Sequence, residues 1–336
     1  MCLVGNKRAD IARVIPCMNN FCIKYAHHLY FFCGLQKLNT LNLCHSHPPL
    51  NPRNHFSTVL IKTNWYTISC KYVGCKSLTN INIPNSVTNI GDSAFAGCKS
   101  LTSINITDGV TNIGNGAFSG CKSLTKIIIP SSVVNMNGNP FSGWNGDLHN
   151  ESKAFVYERQ VLFNIDKTTL IAYRSKKTSY NIPNGVTNIG DKAFYGCESL
   201  TSIKIPKSVS NIGSYAFSGC KSLTSINIPD GVTNIGKSAF SACKSLTCIK
   251  IPNSVTNIGN DAFSGCSSLT NINIPNSVTN IGDYAFVGCE SLTSIYIPNS
   301  VTNIGSVAFS GCGSLTSINI PDSVTNIGRS AFYGCI

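Results

Sequence analysis

Charge is scarce in this chain. Only 12% of its residues are Asp, Glu, Lys or Arg, where an ordinary globular protein carries about 25%. Its surface must therefore be covered mainly by Ser, Thr and Asn. No stretch of 18 apolar residues occurs, which excludes a membrane-spanning helix. Near the N-terminus the apolar run Ile11–Ile23 is interrupted by Arg13, Asn19 and Asn20, so it does not read as the core of a signal peptide. From residue 71 onward the only histidine is His149, and the few carboxylates, such as Asp92, Asp191 and Asp283, sit at turns. Catalysis needs an acid, base or nucleophile held in a constellation, and none is legible here. Gly91, Gly114 and Gly190 recur as turn residues and do not form a phosphate loop. The reading is a protein that is not an enzyme and takes no cofactor. Arginine is nearly absent from this stretch, which argues against nucleic acid as a partner.

What is present is a 23-residue unit. Cysteine marks it at 75, 98, 121, 197, 220, 243, 266, 289 and 312, and the unit begins again at Cys335. A fixed period of this length is the signature of stacked supersecondary units. In the copy that starts at Cys220, Leu223, Ile226 and Ile228 follow an L-x-x-L-x-L spacing, the strand signature of leucine-rich repeats. Ile226 and Ile228 lie two apart and point to one face, with Ser225 and Asn227 on the other. Pro229 ends the strand, because it has no N–H for the ladder. Val232 and Ile235 predict a short extended segment on an opposite wall, Gly236 a turn, and Ala239-Phe240 one helical turn against the core. A single unit cannot cover its apolar side chains. Stacking buries them, and each Phe or Ile so buried contributes about 1.5–3 kcal/mol.

The motif I-P-x-S-V-T-N-I-G-x-x-A-F-x-G-C resembles the BspA-like leucine-rich repeats over about residues 71–336. The resemblance implies a leucine-rich-repeat solenoid, mostly β with short helical turns. It also implies a cell-surface or secreted protein that contacts host or extracellular matrix proteins, or other cells, without chemistry. An intracellular scaffold with no export route is the alternative. The net charge of +12 adds an acidic glycan as a candidate partner.

Ten of the 17 cysteines hold the repeat position. A buried thiol packs as a small hydrophobe, so the column reads as a packing ladder, and Trp144 in the same position supports packing. Residues 1–70 differ: they carry six cysteines outside that column, five of the six histidines, and half of the excess positive charge. They read as an irregular segment, poorly ordered or a partial cap. Cys17, Cys22, Cys33, Cys44, His45 and His47 suggest zinc, but the spacing lacks two close pairs, and no metal is expected. Between Trp144 and Cys197 the spacing is one period plus 30 residues. Residues 145–174 are thus an insert with short β runs, Asn164–Lys167 being the turn of a hairpin. It is either a protruding contact element or a tolerated surface insertion. The array stops at Ile336 just before another strand, which reads as truncation.

The outward strand positions are mostly Ser or Asn. The departures Lys126, Ile128, Lys204, Lys250 and Tyr296 form the candidate contact face, with Tyr296 the one residue of a type enriched at binding hot spots. A second basic row, Lys76, Lys99, Lys122, Lys221 and Lys244, reads as a solubilising stripe.

Overall fold

The computed structural model describes residues 58–60, 67–68 and 72–335. The expectations for residues 1–57, including the zinc ligands, lie outside them. Among the described residues the chain winds as a β-solenoid with no helix.

Each coil has three walls. On the first, Ser225–Asn227 keeps Ile226 buried and its two neighbours exposed, and Ile228 and Pro229 continue inward. This strand pairs parallel with Cys248–Lys250, and that with Asn271–Asn273. The register sets Ile226 against Ile249 and Ile249 against Ile272 on consecutive rungs. A constant period puts like residues at like heights, so each rung repeats the pattern below it. Threonines entering the strands add a side-chain ladder, with Thr224 Oγ1 donating to Thr201 O and Thr247 Oγ1 to Thr224 O.

The second wall holds the two-residue strands Asn188–Ile189, Asn211–Ile212, Asn234–Ile235 and their successors to Asn326–Ile327, all parallel. The isoleucines face the core as far as Ile304, whereas Ile327 is 48% exposed. The asparagines form an amide ladder outside, with Asn211 Nδ2 donating to Asn188 Oδ1 at 2.6 Å and Asn280 Nδ2 to Asn257 Oδ1 at 2.7 Å. Gly236 turns into the third wall, where a Cβ would lie 2.6 Å from the Gly213 carbonyl carbon. Only glycine lets two coils approach so closely.

The third wall corrects one expectation. Ala239-Phe240 do not form a helical turn but lie in linked tight turns: Ala239 N–H bonds Gly236 O, and Ser241 N–H bonds Ser238 O. Intervening N–H groups donate to the next coil, Ser238 to Asn260 O and Phe240 to Ala262 O. Ser238 takes a left-handed φ of 52°, which a helix does not tolerate. Inter-coil bonding has replaced helical bonding.

Inside, aromatic rings stack along the axis from Phe194 to Phe332, with centroids 5.0–5.5 Å apart and planes within 14°. The repeat cysteines are free thiols. From Cys98 onward each donates to a carbonyl of the coil before, for example Cys243 Sγ to Phe217 O at 3.2 Å. They are a packing ladder with a hydrogen bond added.

Residues 145–174 are more than a surface insertion. Asp147–Asn150 continues the first wall beside Lys126–Ile129. Phe155–Glu158, Val161–Asn164 and Thr169–Tyr173 form an antiparallel sheet, whose last strand then pairs parallel with Asn188–Ile189. Leu162, Ile171 and Ala172 pack into the core on the N-terminal side, and Val161, Phe163, Leu170 and Tyr173 into the core on the C-terminal side. The sheet is a septum between two stacks of coils. Arg174 locks the seam: its guanidinium lies 4.3 Å from the Trp144 ring and donates to the carbonyls of Trp144 and Gly146.

Candidate interaction face

The first wall presents its outward side chains in two parallel rows, because successive residues of a strand alternate faces. One row runs Ser179, Ser202, Ser225, Cys248, Asn271, Ser294. The other runs Asn181 and Lys204, then, after a break in the hydrogen-bonded ladder between Ser202–Lys204 and Ser225–Asn227, continues at the same repeat position through Asn227, Lys250, Asn273 and Tyr296, with Asn319 bridged to Tyr296. Lys204, Lys250 and Tyr296 therefore share one row, each separated from the next by a single asparagine rung. At about 4.8 Å per rung, the two lysines stand about 10 Å apart and Tyr296 the same distance beyond. All three are exposed.

Lys126 and Ile128 lie on the other side of the septum. The register places Asp147 beside Lys126 and His149 beside Ile128. Neither neighbour was expected on this face: D-L-H-N carries a single apolar residue and gives no strand signal. His149 also approaches Glu151, at 3.7 Å. So the five sequence-derived residues fall into two patches of different character.

Each patch adjoins a groove where the strand turns at its proline. The groove of about 650 Å³ is lined by Lys204, Lys207, Lys250 and Asp230, with Pro206 and Pro229. The groove of about 510 Å³ includes Lys126 and Ile128, but also Asp108 and Glu151. Counting charges, the first carries three lysines against one carboxylate, and the second one lysine against two. Lys207 was not singled out from sequence, since it falls in a turn position where residue types vary. The solubilising stripe is partly neutralised: Lys221 Nζ meets Glu198 Oε1 one coil away, at 2.7 Å.

Among the described residues no three His, Cys, Asp or Glu side chains are grouped to hold a metal ion, and no helix is long and apolar enough to cross a membrane. Burial pushes most ladder thiols up, Cys243 and Cys197 to about 12 and Cys121 to about 11; Cys75, half-buried at the start of the column, is the exception, lowered to about 7 by its side-chain hydrogen bond with Cys98. The raised thiols stay protonated at neutral pH and act as packing groups.

The model of the BspA type leucine-rich repeat region matches residues 55–150, 169–289 and 210–336. The chain belongs to the BspA-type leucine-rich repeat family. Its solenoid is similar to the crystal structure of a leucine-rich repeat protein from Eubacterium ventriosum, at 28% identity and a TM-score of 0.67, covering 83% of this chain and 82% of that one. It is also similar to a leucine-rich cell surface protein from Faecalibacterium prausnitzii, at 37% identity and a TM-score of 0.59, covering 66% of this chain and 60% of that one. The pneumococcal vaccine antigen PcpA shares the fold at 24% identity and a TM-score of 0.53. No curated protein sequence matches the chain. Leucine-rich repeats of this kind are generally protein-interaction modules, and the repeat family is a non-enzymatic interaction fold.

Proposed function

We propose that this BspA-type solenoid is a non-enzymatic adhesion module, displayed at the cell surface or secreted, that binds a host or extracellular matrix protein through its first wall. The observation that carries the reading is the in-register row of Lys250 and Tyr296, which Lys204 extends at the same position of the 23-residue repeat. A rigid parallel sheet holds the attachment points of these side chains at fixed intervals on an otherwise uniform Ser/Asn surface, so no backbone freedom is lost on contact. Tyr296 supplies apolar area with a hydroxyl tip, the combination favoured at binding hot spots. Lys126 and Ile128 form a second contact patch across the septum. The Faecalibacterium relative, described as a cell surface protein, supports the location.

A second reading, an intracellular interaction scaffold, is favoured by Cys248, an exposed free thiol on the same face; exposed unpaired cysteines are uncommon in oxidising compartments. Labelling of intact cells with a membrane-impermeant reagent separates the two. Labelled protein supports the adhesin, and protein protected until lysis overturns it in favour of the scaffold. Capture of solubilised matrix proteins by the purified chain then tests the face: Tyr296→Ser is expected to weaken capture at least fivefold, and unchanged capture would place the contact elsewhere.

A further inference from the structure

We infer that the groove formed by Lys204, Lys207 and Lys250 is a binding site for an anionic polysaccharide, a chain of sugars bearing sulfate or carboxylate groups. The inference rests on the reading of the first wall as the contact face, and gives that face a second ligand class.

Three observations carry it. First, the positive charge is local. Equivalent strand positions on neighbouring coils hold Asn181, Asn227 and Asn273, and the turn positions matching Lys207 hold Asn184, Asp230 and Asn253. Three lysines depart from the repeat, two on one coil and the third two coils on, and all three line one groove of about 650 Å³. Among the described residues the ion pairs are His149–Glu151, Lys167–Glu158 and Lys221–Glu198, so none of the three lysines is neutralised by a carboxylate contact. Asp230 is the one acidic group in the lining. The sister groove around Lys126 carries the opposite balance, so net charge alone does not account for the cradle.

Second, the spacing suits a polymer. Lys204 and Lys250 lie two rungs apart along the solenoid axis, about 10 Å, and Lys207 stands at the turn below. Point charges set at intervals along a trough select anionic groups recurring along an extended ligand, not one isolated ion. Asn184 and Asn227 lie between and beside them, and a primary amide both donates to and accepts from hydroxyl groups.

Third, the groove fits other polyanions poorly. An acidic peptide binds best by adding a strand to a free edge or by laying a helix in an apolar trough. Here Ser202–Lys204 pairs with Ser179–Asn181 and Ser225–Asn227 with Cys248–Lys250, and the bond from Thr224 N–H to Thr201 O holds the two pairs side by side, which leaves little room for an added strand; Ile205 and Ile228 are buried and cannot meet the apolar face of a helix. Single-stranded nucleic acid binds on aromatic platforms interleaved with basic groups, and the groove lining has no aromatic side chain.

The test uses the full chain and immobilised heparin (sulfated), polygalacturonate (carboxylate), polyglutamate and oligothymidylate. Lys204→Asn/Lys207→Asn/Lys250→Asn restores the residue type of neighbouring coils and is expected to fold. Lys76→Ser/Lys99→Ser/Lys122→Ser removes equal charge elsewhere. The prediction is that one or both glycans bind, that the groove variant loses at least tenfold, and that the stripe variant stays within twofold. The heparin and polygalacturonate arms decide between sulfate and carboxylate. Equal loss in both variants, tighter binding of polyglutamate or oligothymidylate than of either glycan, or no glycan binding overturns the proposal. If glycan binding fails while matrix capture still responds to Tyr296→Ser, only the cradle falls. If neither responds to changes on this wall, the contact-face reading falls with it.

Discussion

At the scale of single residues the solenoid accepts strain at one repeated position. Ser93, Lys192, Tyr215, Ser238, Asp261, Tyr284, Val307 and Ser330 all adopt left-handed φ, at about 1–2 kcal/mol each for an L-residue. The N–H of Tyr215 bonds Lys237 O, and that of Val307 bonds Arg329 O; the next coil holds the conformation in place. Nothing in the sequence announces this, because these residues lack the glycine or asparagine signature of such a turn, and tertiary hydrogen bonds decide it. Val307, at φ 59°, is β-branched and the least suited of them. Val307→Asn is expected to raise stability by about 1 kcal/mol, read as a higher denaturant midpoint at constant m-value; a lower midpoint would contradict the strain. Lys207 was missed for a related reason. Its neighbours in sequence are ordinary turn residues, and only the groove reveals what it faces.

At the scale of elements, the strands were legible and the third wall and the insert were not. Period-two burial and the proline stop predict Ser225–Asn227 correctly. The A-F pair instead suggested local helical bonding, because sequence cannot show donors turning to the next coil. Asp147–Asn150 was invisible for want of apolar alternation, although pairing with Lys126–Ile129 makes it a wall strand. The seam beside it depends on Arg174, whose pKa burial lowers against the pull of Tyr157 and Asp147. Arg174→Ala leaves the Trp144 and Gly146 carbonyls without this donor and is expected to cost about 2–4 kcal/mol. Arg174→Lys should recover little of that, lacking the planar fork and the stacking surface. Full recovery in chemical denaturation would show that the charge alone matters. The cysteine ladder makes a separate prediction. Burial raises the folded thiols from the ordinary 9 to about 12 at Cys243, Cys197 and Cys312. A folded pKa above the unfolded one means that the unfolded chain releases protons first as pH rises. This contribution is therefore whole below pH 9 and drains away as pH climbs through about 12, by up to ~1.4 kcal/mol per pH unit per thiol. Thermal melts should fall through the alkaline range, less steeply in Cys243→Ala/Cys266→Ala; identical slopes would remove the thiols as the cause.

At the scale of the whole molecule, periodicity made the architecture readable and the same periodicity hid the function. A repeat advertises its core in every copy, so the walls and the family follow from a few motifs. A binding surface is written only in departures from the repeat, and those carry meaning once their neighbours on adjacent rungs are known. Lys250 and Tyr296 form a row because their coils stack in register, Lys204 extends it at the same repeat position, and every statement about the face depends on that stacking. Cys248, exposed and centred on the wall, gives a native reporter of it. Ser225 and Asn271 are its partners on the rungs before and after. Separate Ser225→Cys and Asn271→Cys variants, treated with a short thiol–thiol crosslinker and mapped by mass spectrometry, should each link to Cys248. Asn227→Cys and Asn273→Cys, facing Lys250 instead, should link far less. Preferential linkage of Cys248 to position 227 or 273 would show the coils slipped from register and would dissolve the face.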